Sequence, residues 1–171
     1  DEISCQAIED CLLKHDMVRT AECFKTYQGG VRVCVTQRVP ALYVMSSEGA
    51  YYVDKDRQIM PVRRTIEVDV PTFKGAVGKR AATEEYFDFA KWISSDRYWH
   101  SRIQHVQVVH PKHLVLHQED GMGKIILGDP SQYEQKLDKL QKVYTKEADY
   151  MNDKNYREFD LRYKGQVIGR K

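Results

Sequence analysis

Four histidines form the one group in the sequence whose spacing could suit a metal site: His105, His110, His113 and His117. Imidazole nitrogens at such intervals can ligate zinc when they share one surface. Pro111-Lys112 predicts a turn between two strands, which would place His110 opposite His113. The same turn would bring His105 nearly opposite His117. Histidines on the surface of a hairpin explain these residues equally well, and no cysteine or carboxylate completes a ligand set. We therefore predict no metal site.

Other catalytic motifs are missing from the sequence. It contains no Gly-x-Ser-x-Gly segment and no Ser-x-x-Lys segment. Gly75 to Lys79 lacks both the spacing and the following Ser or Thr of a phosphate-binding loop. The carboxylates at 84–85 and 119–120 fall at a predicted helix start and in a predicted turn, where solvation accounts for them. The sequence predicts a protein without catalytic activity or cofactor.

The four cysteines show no Cys-x-x-Cys spacing, so zinc binding or thioredoxin-like redox chemistry has little support. Cys5 and Cys11 fall on a predicted helix and are interpreted as small core or boundary residues. Cys23 and Cys34 face each other across a predicted hairpin and are the only pair that we consider for a disulfide. We expect all four to remain thiols that contribute little to stability.

Charge and hydropathy exclude several classes of protein. The chain has 27 basic and 25 acidic residues, closely intermixed. Its net positive charge is therefore too small to produce an electrostatic field that would attract nucleic acid. No stretch reaches the length of about eighteen apolar residues that a membrane-spanning helix needs. An apolar content of 42% is typical of a folded domain and excludes global disorder.

The first forty residues predict a helix and one hairpin. The helix is expected over residues 4–16, and the strands over 20–27 and 31–38 on either side of Gln28-Gly29-Gly30. Alternation predicts that Val31, Val33 and Val35 face a core together with Phe24. A helix and one hairpin bury too little apolar surface to be stable alone. We expect a strand and a helix to precede them, and the chain to be a fragment.

After Pro40 the pattern predicts a longer series of elements. Strands are expected at 41–45, 49–54, 57–62, 66–70, 103–109, 113–117 and 124–127, the last three as an antiparallel meander. Thr83 is expected to cap a helix that ends near Ser95. Asp129-Pro130-Ser131-Gln132 predicts the start of a second helix. Two terminal strands, 159–163 and 166–169, flank a turn at Lys164-Gly165.

With these elements in order, the chain resembles the extracytoplasmic part of the bacterial cell-division family FtsQ/DivIB, in a Bacteroidota-like version. The resemblance is carried, in order, by "HDMVRTAECFKTYQGGVRVCVTQRVPAL", "YYVDKDRQIMPV", "VPTFKG", "RYWHSRIQHVQV", "GKIILGDPSQYEQKLDKL" and "FDLRYKGQVIG". Two positions depart from the family. The turn after Asp54 carries Asp56-Arg57 where the family usually has glycine, and Arg170 stands where the best-studied members have an aromatic residue near the end of the last strand.

The resemblance implies an α+β fold in two domains. Residues 1–40 would be the C-terminal part of a POTRA module that lacks its first strand and helix. Residues 41–171 would be a mixed, mainly antiparallel β-domain with two helices. It also implies a single N-terminal helix, absent from this chain, that anchors the protein in the inner membrane, with this region in the periplasm at the division site.

The resemblance implies a non-enzymatic divisome scaffold that binds FtsB and FtsL and helps to position the FtsW–FtsI septal peptidoglycan synthase. FtsB would add a strand to the C-terminal edge. The predicted partner-binding residues are Tyr163, Lys164, Gly165, Gln166, Val167, Ile168, Gly169 and Arg170. Two alternatives remain open: a POTRA-containing factor of outer-membrane assembly, and a zinc hydrolase that uses the histidine cluster.

Overall fold

The N-terminal unit is a helix packed on a two-stranded sheet. In the computed structural model, which describes residues 4–63, 68–119, 123–146 and 156–171, helix α1 spans Cys5–Leu13. Ser4 caps it, because the Ser4 hydroxyl accepts the backbone N–H of Ala7 at 3.3 Å. Strands β1 (Val18–Lys25) and β2 (Val31–Gln37) pair antiparallel. The predicted helix and hairpin are therefore present, with ends that differ by at most three residues.

The predicted core of this hairpin is wrong. Phe24, Val33 and Val35 are all exposed, and the covered side of β1 carries Val18, Ala21 and Cys23 instead. The register explains the difference for Phe24, which lies opposite Arg32 and shares its face, not that of the valines. Val33 and Val35 lie opposite Cys23 and Ala21 on the covered face, but α1 packs over β1 and leaves β2 exposed.

The register also separates Cys23 and Cys34, which were predicted to face each other across the hairpin. Cys23 lies opposite Val33, and Cys34 lies opposite Glu22. Neighbouring positions in a strand point to opposite faces, so Cys23 and Cys34 lie on different faces of the hairpin. Cys11 is exposed rather than a core or boundary residue.

The rest of the described chain forms a nine-stranded sheet in the order β11-β10-β9-β8-β7-β6-β3-β4-β5. Its strands are β3 (Pro40–Ser46), β4 (Gly49–Asp54), β5 (Ile59–Pro61), β6 (Thr72–Gly75), β7 (Ile103–His110), β8 (His113–Gln118), β9 (Lys124–Gly128), β10 (Glu158–Asp160) and β11 (Ile168–Arg170). The meander β7-β8-β9 is antiparallel as predicted. Three pairs are parallel: β3 with β6, β6 with β7, and β9 with β10.

The strand predicted over 66–70 is not found in its described part. Ile66 lies outside the described residues, whereas Val68 and Val70 belong to no strand. Val70 packs beside Met60 and Tyr52, so packing in an irregular segment accounts for its apolar side chain. Pairing starts at Pro71, whose carbonyl accepts the N–H of Tyr43 at 3.0 Å.

Helices lie over one face of the large sheet and enclose its core. They are α2 (Lys79–Thr83), α3 (Glu85–Ser95), α4 (Arg97–His100) and α5 (Tyr133–Lys146). The largest fully buried side chains of this core include Phe73, Tyr86, Phe89, Ile93, Trp99 and Phe159. The α+β class, with a mixed and mainly antiparallel sheet, is confirmed. Two short helices, α2 and α4, accompany the two predicted ones.

Both predicted helix starts are shifted. Thr83 ends α2, and its hydroxyl donates to the carbonyls of Lys79 and Arg80 instead of capping α3. Gln132 has a φ of 57°, a left-handed conformation that interrupts a helix, so α5 begins only at Tyr133. The hydroxyl of Thr83 is thus used inside α2, and near the second start the Asp129 carboxylate accepts the N–H of Ser131 at 2.7 Å, a local bond made outside the helix.

The division into 1–40 and 41–171 stays a prediction, although the structure shows how the two parts touch. Asp54 is 1% exposed, and its carboxylate accepts the guanidinium of Arg38 at 2.7 Å. The same carboxylate closes the β4–β5 turn by accepting the N–H groups of Asp56 and Gln58. Met17 packs against Tyr52 and Met60 on the other side. One buried acid therefore ties the sheet to the segment that enters it.

The arginine at the first departure from the family has an unusual backbone. Arg57 has a φ of 63°, in the region that glycine adopts without steric cost. Its guanidinium lies 4.5 Å from the ring centre of Phe87 and donates to the carboxylate of Asp88 at 2.6 Å and to the carbonyl of Thr83 at 3.0 Å. The side chain thus connects the β4–β5 turn to α2 and α3, which a glycine cannot do.

Candidate partner-binding edge

The last two strands of the chain form one edge of the sheet. β10 pairs with β9 on one side and with β11 on the other, where Glu158 lies opposite Arg170 and Asp160 opposite Ile168. Both strands are shorter than predicted. The chain turns at Tyr163, whose carbonyl accepts the N–H of Gln166 at 3.2 Å, and Gly165 has a φ of 80° in this turn.

The outer side of β11 faces no other strand in the described part of the chain. The carbonyl of Arg170 accepts the N–H of Arg157 at 2.8 Å and therefore points toward β10. Peptide groups of consecutive strand residues point to alternate sides. It follows that the N–H and C=O of Gly169 point outward. This edge thus offers backbone donors and acceptors to a further strand.

Charged side chains hold the two terminal strands together. Asp160 is 0% exposed, and Arg162 donates to both of its oxygens, at 2.9 and 2.7 Å. The hydrogen bonds from Arg162 lower the pKa of Asp160, against the opposing effect of burial. Glu158 contacts Arg170 at 2.8 Å and Lys124 at 3.2 Å. The edge is therefore ionised and cross-linked by side chains.

A groove of about 520 Å³ lies beside this edge, between the turn after β10 and the first turns of α5. From the C-terminal segment it is lined by residues 161–167, and from the helix side by Asp129, Ser131, Gln132, Gln135, Lys136 and Lys139. The ammonium group of Lys136 makes hydrogen bonds within the domain, because it donates to the carbonyls of Asp129 and Leu127 at 2.7 and 3.2 Å. Lys139 and Lys164 give the groove an excess of positive charge over Asp129, whereas Arg162 is paired with Asp160.

The structure places the predicted residues in two neighbouring groups. Tyr163, Lys164, Gly165, Gln166 and Val167 line the groove, while Ile168, Gly169 and Arg170 form the edge strand. Tyr163 is 49% exposed, so its ring does not belong to the core. Val167 is half-buried and packs against the core.

Sequence reasoning missed the helix side of the groove and the role of Asp160. Gln135 and Lys139 come from α5, which is distant in sequence and was considered only for its apolar stripe. An available signal was the alternation of Glu158, Asp160 and Arg162 along a strand whose other face is buried. Three charged residues at that spacing predict a charged face with internal pairs.

The histidines occupy the register that the sequence predicted, with His110 opposite His113 and His105 opposite His117. The rings of His105 and His117 stack, with centres 4.4 Å apart and planes 8° apart. Nitrogen lone pairs lie in the ring plane, so those of two stacked rings run side by side and do not converge on one ion. The described residues contain no group of three His, Cys, Asp or Glu side chains that could hold a metal.

The environment of His105 opposes protonation. Its Nδ1 is buried without a hydrogen-bond partner, whereas Nε2 of His117 lies 3.0 Å from the side-chain oxygen of Gln107. Burial, followed by the charges of Lys74 and His117, lowers the pKa of His105 to about 4. Burial also lowers the pKa of His117, with Lys124 and Lys74 contributing. This pair is therefore neutral near pH 7.

Comparison with protein families gives the class and then the family. Residues 1–36 match a POTRA-like domain, and residues 39–170 match the family described as FtsQ/DivIB, C-terminal related. The second match covers most of the chain, so the protein belongs to the FtsQ/DivIB family, and this membership indicates a role in cell division. A comparison with curated proteins finds no match. Within the described residues, no helix combines the length and apolar character needed to cross a bilayer.

Proposed function

We propose that this protein is a non-enzymatic scaffold of the bacterial divisome. It binds FtsB and FtsL by strand addition at β11 and helps to position the FtsW–FtsI complex that makes septal peptidoglycan. The observation that carries the proposal is the open outer edge of β11 within a domain of the FtsQ/DivIB family. The match over residues 39–170 favours this role over outer-membrane assembly, because it covers the region beyond the POTRA-like part.

Strand addition supplies backbone hydrogen bonds as the main attachment, while side chains select the partner. Gly169 directs its N–H and C=O outward, and Ile168 and Arg170 flank it on one face. A partner strand laid along β11 would extend the sheet without rearranging it. The ionised pairs between β10 and β11 keep the receiving strand in place before the partner arrives, which lowers the entropy lost on binding.

Tyr163 is the proposed anchor at the start of this surface. It is exposed at the mouth of the groove, and a tyrosine buried on binding contributes roughly 2 kcal/mol or more in interfaces. Lys139 and Lys164 favour a partner segment that is acidic next to its added strand, because complementary charge steers association. The edge and the groove thus form one continuous binding surface.

The proposal includes a location. The FtsQ/DivIB family is anchored in the membrane with a periplasmic domain. We propose that this chain is the periplasmic part, held at the inner membrane of the division site by an N-terminal helix. Recognition by the POTRA-like part and the β-domain then takes place outside the cytoplasm.

Affinity capture of the full-length protein from detergent-solubilised membranes tests the proposal. We expect FtsB and FtsL to co-purify in similar amounts, with FtsW and FtsI present in smaller amounts because they are held indirectly. A matched capture uses the same protein truncated after Gln166, which lacks β11. This variant should lose FtsB and FtsL together. Retention of both by that truncated protein, or recovery of outer-membrane assembly factors from the wild type, would contradict the proposal.

A further inference from the structure

Helix α1 is fixed to β1 by one short contact. The carboxylate of Glu9 accepts the backbone N–H of Cys23 at 2.7 Å. Cys5 precedes Glu9 by four residues, which places both on the same face of the helix, one turn apart. The contact that positions Glu9 over Cys23 therefore also turns the side chain of Cys5 toward β1.

Cys5 and Cys23 both lie at the interface between α1 and β1. Cys23 is 7% exposed on the covered side of β1, and Cys5 is the first residue of α1. Burial, followed by a hydrogen bond with the Cys5 thiol, the charge of Cys5 and that of Glu9, raises the pKa of Cys23 to about 11. The other two cysteines, Cys11 and Cys34, are both exposed.

We propose that Cys5 and Cys23, which the sequence alone predicts to remain thiols, form a disulfide that fastens α1 to β1. The proposal rests on the periplasmic location given above, because disulfides persist in oxidising compartments. The bond would close a loop that contains the rest of α1 and most of β1. Closing such a loop lowers the conformational entropy of the unfolded chain and so stabilises the folded unit.

Within the described residues, the N-terminal unit buries little apolar surface. No residue of α1 is buried, and every residue of β2 after Val31 is exposed. Stability from apolar burial scales with the area removed from water, so a covalent link between α1 and β1 would add to the contacts that this unit makes.

The chemistry balances with an external disulfide as oxidant. The thiolate of Cys5 attacks the oxidant's disulfide, forms a mixed disulfide and releases one thiol. The thiolate of Cys23 then attacks the sulfur of Cys5 and releases the second thiol. The protein loses two electrons and two protons, and the oxidant gains them as two thiols. Because the raised pKa of Cys23 keeps it protonated near neutral pH, the second step is slow without a catalyst.

Peptide mapping of the full-length protein tests the bond. The protein is incubated with glutathione disulfide, alkylated, and cleaved after Glu9 and Lys14, which separates Cys5 from Cys11. We expect one linked species that joins the Cys5 and Cys23 peptides and is lighter by two hydrogen atoms. Cys11→Ser and Cys34→Ser should retain it, whereas Cys5→Ser and Cys23→Ser should lose it.

Hydrogen exchange gives a second readout that needs no variant. The amides of α1 should exchange more slowly in the oxidised wild type than after reduction, with no change in the amides of β8. A Cys23–Cys34 or Cys5–Cys11 link, or four alkylatable thiols after complete incubation of folded protein, would overturn the proposal. FtsB capture with the reduced protein separates this outcome from failure of the scaffold proposal.

Discussion

Arg170 lies directly opposite Glu158 across the last two strands, with 2.8 Å between its guanidinium nitrogen and the carboxylate oxygen. A second guanidinium nitrogen lies 3.4 Å from the buried carboxylate of Asp160. One side chain thus spans two acids that face the same side of β10. The arginine that replaces the family's aromatic residue therefore secures the edge strand to the sheet.

Arg170→Ala should loosen β11 without unfolding the domain. Half-exposed ion pairs contribute up to about 1 kcal/mol, and Asp160 keeps its two bonds from Arg162, so the loss of global stability should be small. The amides of β11 should nevertheless exchange several-fold faster. Arg157→Ala, an exposed arginine just before β10, is the matched control and should leave that exchange unchanged. Equal exchange rates in β11 for both variants would contradict this role.

The backbone of Arg57 can be tested with two substitutions at one position. Arg57→Ala removes the contacts with Phe87 and Asp88 but keeps the left-handed strain, which costs a non-glycine residue about 1 kcal/mol or more. Arg57→Gly removes the same contacts and the strain together. We expect the glycine variant to be the more stable of the two by about 1 kcal/mol in denaturant unfolding. An alanine variant at least as stable as the glycine variant would show that the turn is not strained.

The free energy of unfolding should fall as the pH decreases below 6.5, the ordinary pKa of histidine, because of His105. Its pKa is lowered from 6.5 to about 4, so the unfolded chain takes up a proton that the folded chain does not. Between about pH 7.5 and about pH 5 this should cost the wild type about 1–2 kcal/mol. His105→Gln should remove that part of the pH dependence. His110→Gln, beside the turn of the β7–β8 hairpin, should behave like the wild type. An unchanged slope in His105→Gln would contradict the assignment.

Much of the fold followed from local pattern. The antiparallel meander and the pairing of His105 with His117 were predicted, because alternation and turn residues act between neighbours in sequence. The parallel pairing of β9 with β10 was not, since the two strands are joined through α5 and their contact depends on how that helix packs. The residues of α5 that line the groove, such as Gln135 and Lys139, could not be predicted either, because their position also depends on how that helix packs.

The shifted helix starts had a different cause. Gln132 adopts a left-handed backbone conformation, and the hydroxyl of Thr83 bonds inside α2. Both features depend on how the helices pack in the folded protein. Residue type alone favoured a helix at both places. The C-terminal turn lies where it was predicted, because the bond from the N–H of Gln166 to the carbonyl of Tyr163 closes around Lys164-Gly165. The flanking strands are shorter than predicted, since β10 ends at Asp160 and β11 begins at Ile168.

Tyr163 should be an energetic anchor for FtsB. Tyr163→Ala should weaken binding of a soluble FtsB–FtsL complex by about 2 kcal/mol, or roughly thirtyfold, because a ring that becomes buried on binding is lost. Tyr27→Ala is the matched control, since Tyr27 is a fully exposed tyrosine in the β1–β2 turn, far along the chain from the edge. Isothermal titration of both variants, with circular dichroism to confirm folding, makes the comparison. Equal affinities would exclude the anchor.

The measurement that tests the central claim most directly compares two substitutions at Val167. Val167→Pro removes a backbone N–H next to the outward-facing group of Gly169 and obstructs an added strand. Val167→Ala shortens the half-buried side chain to a similar or greater extent but leaves the backbone donor in place. Each folded variant is titrated with the FtsB–FtsL complex. The account predicts that the alanine variant binds nearly as the wild type does, while the proline variant loses at least tenfold in affinity. Unchanged affinity in a folded proline variant would contradict strand addition at β11.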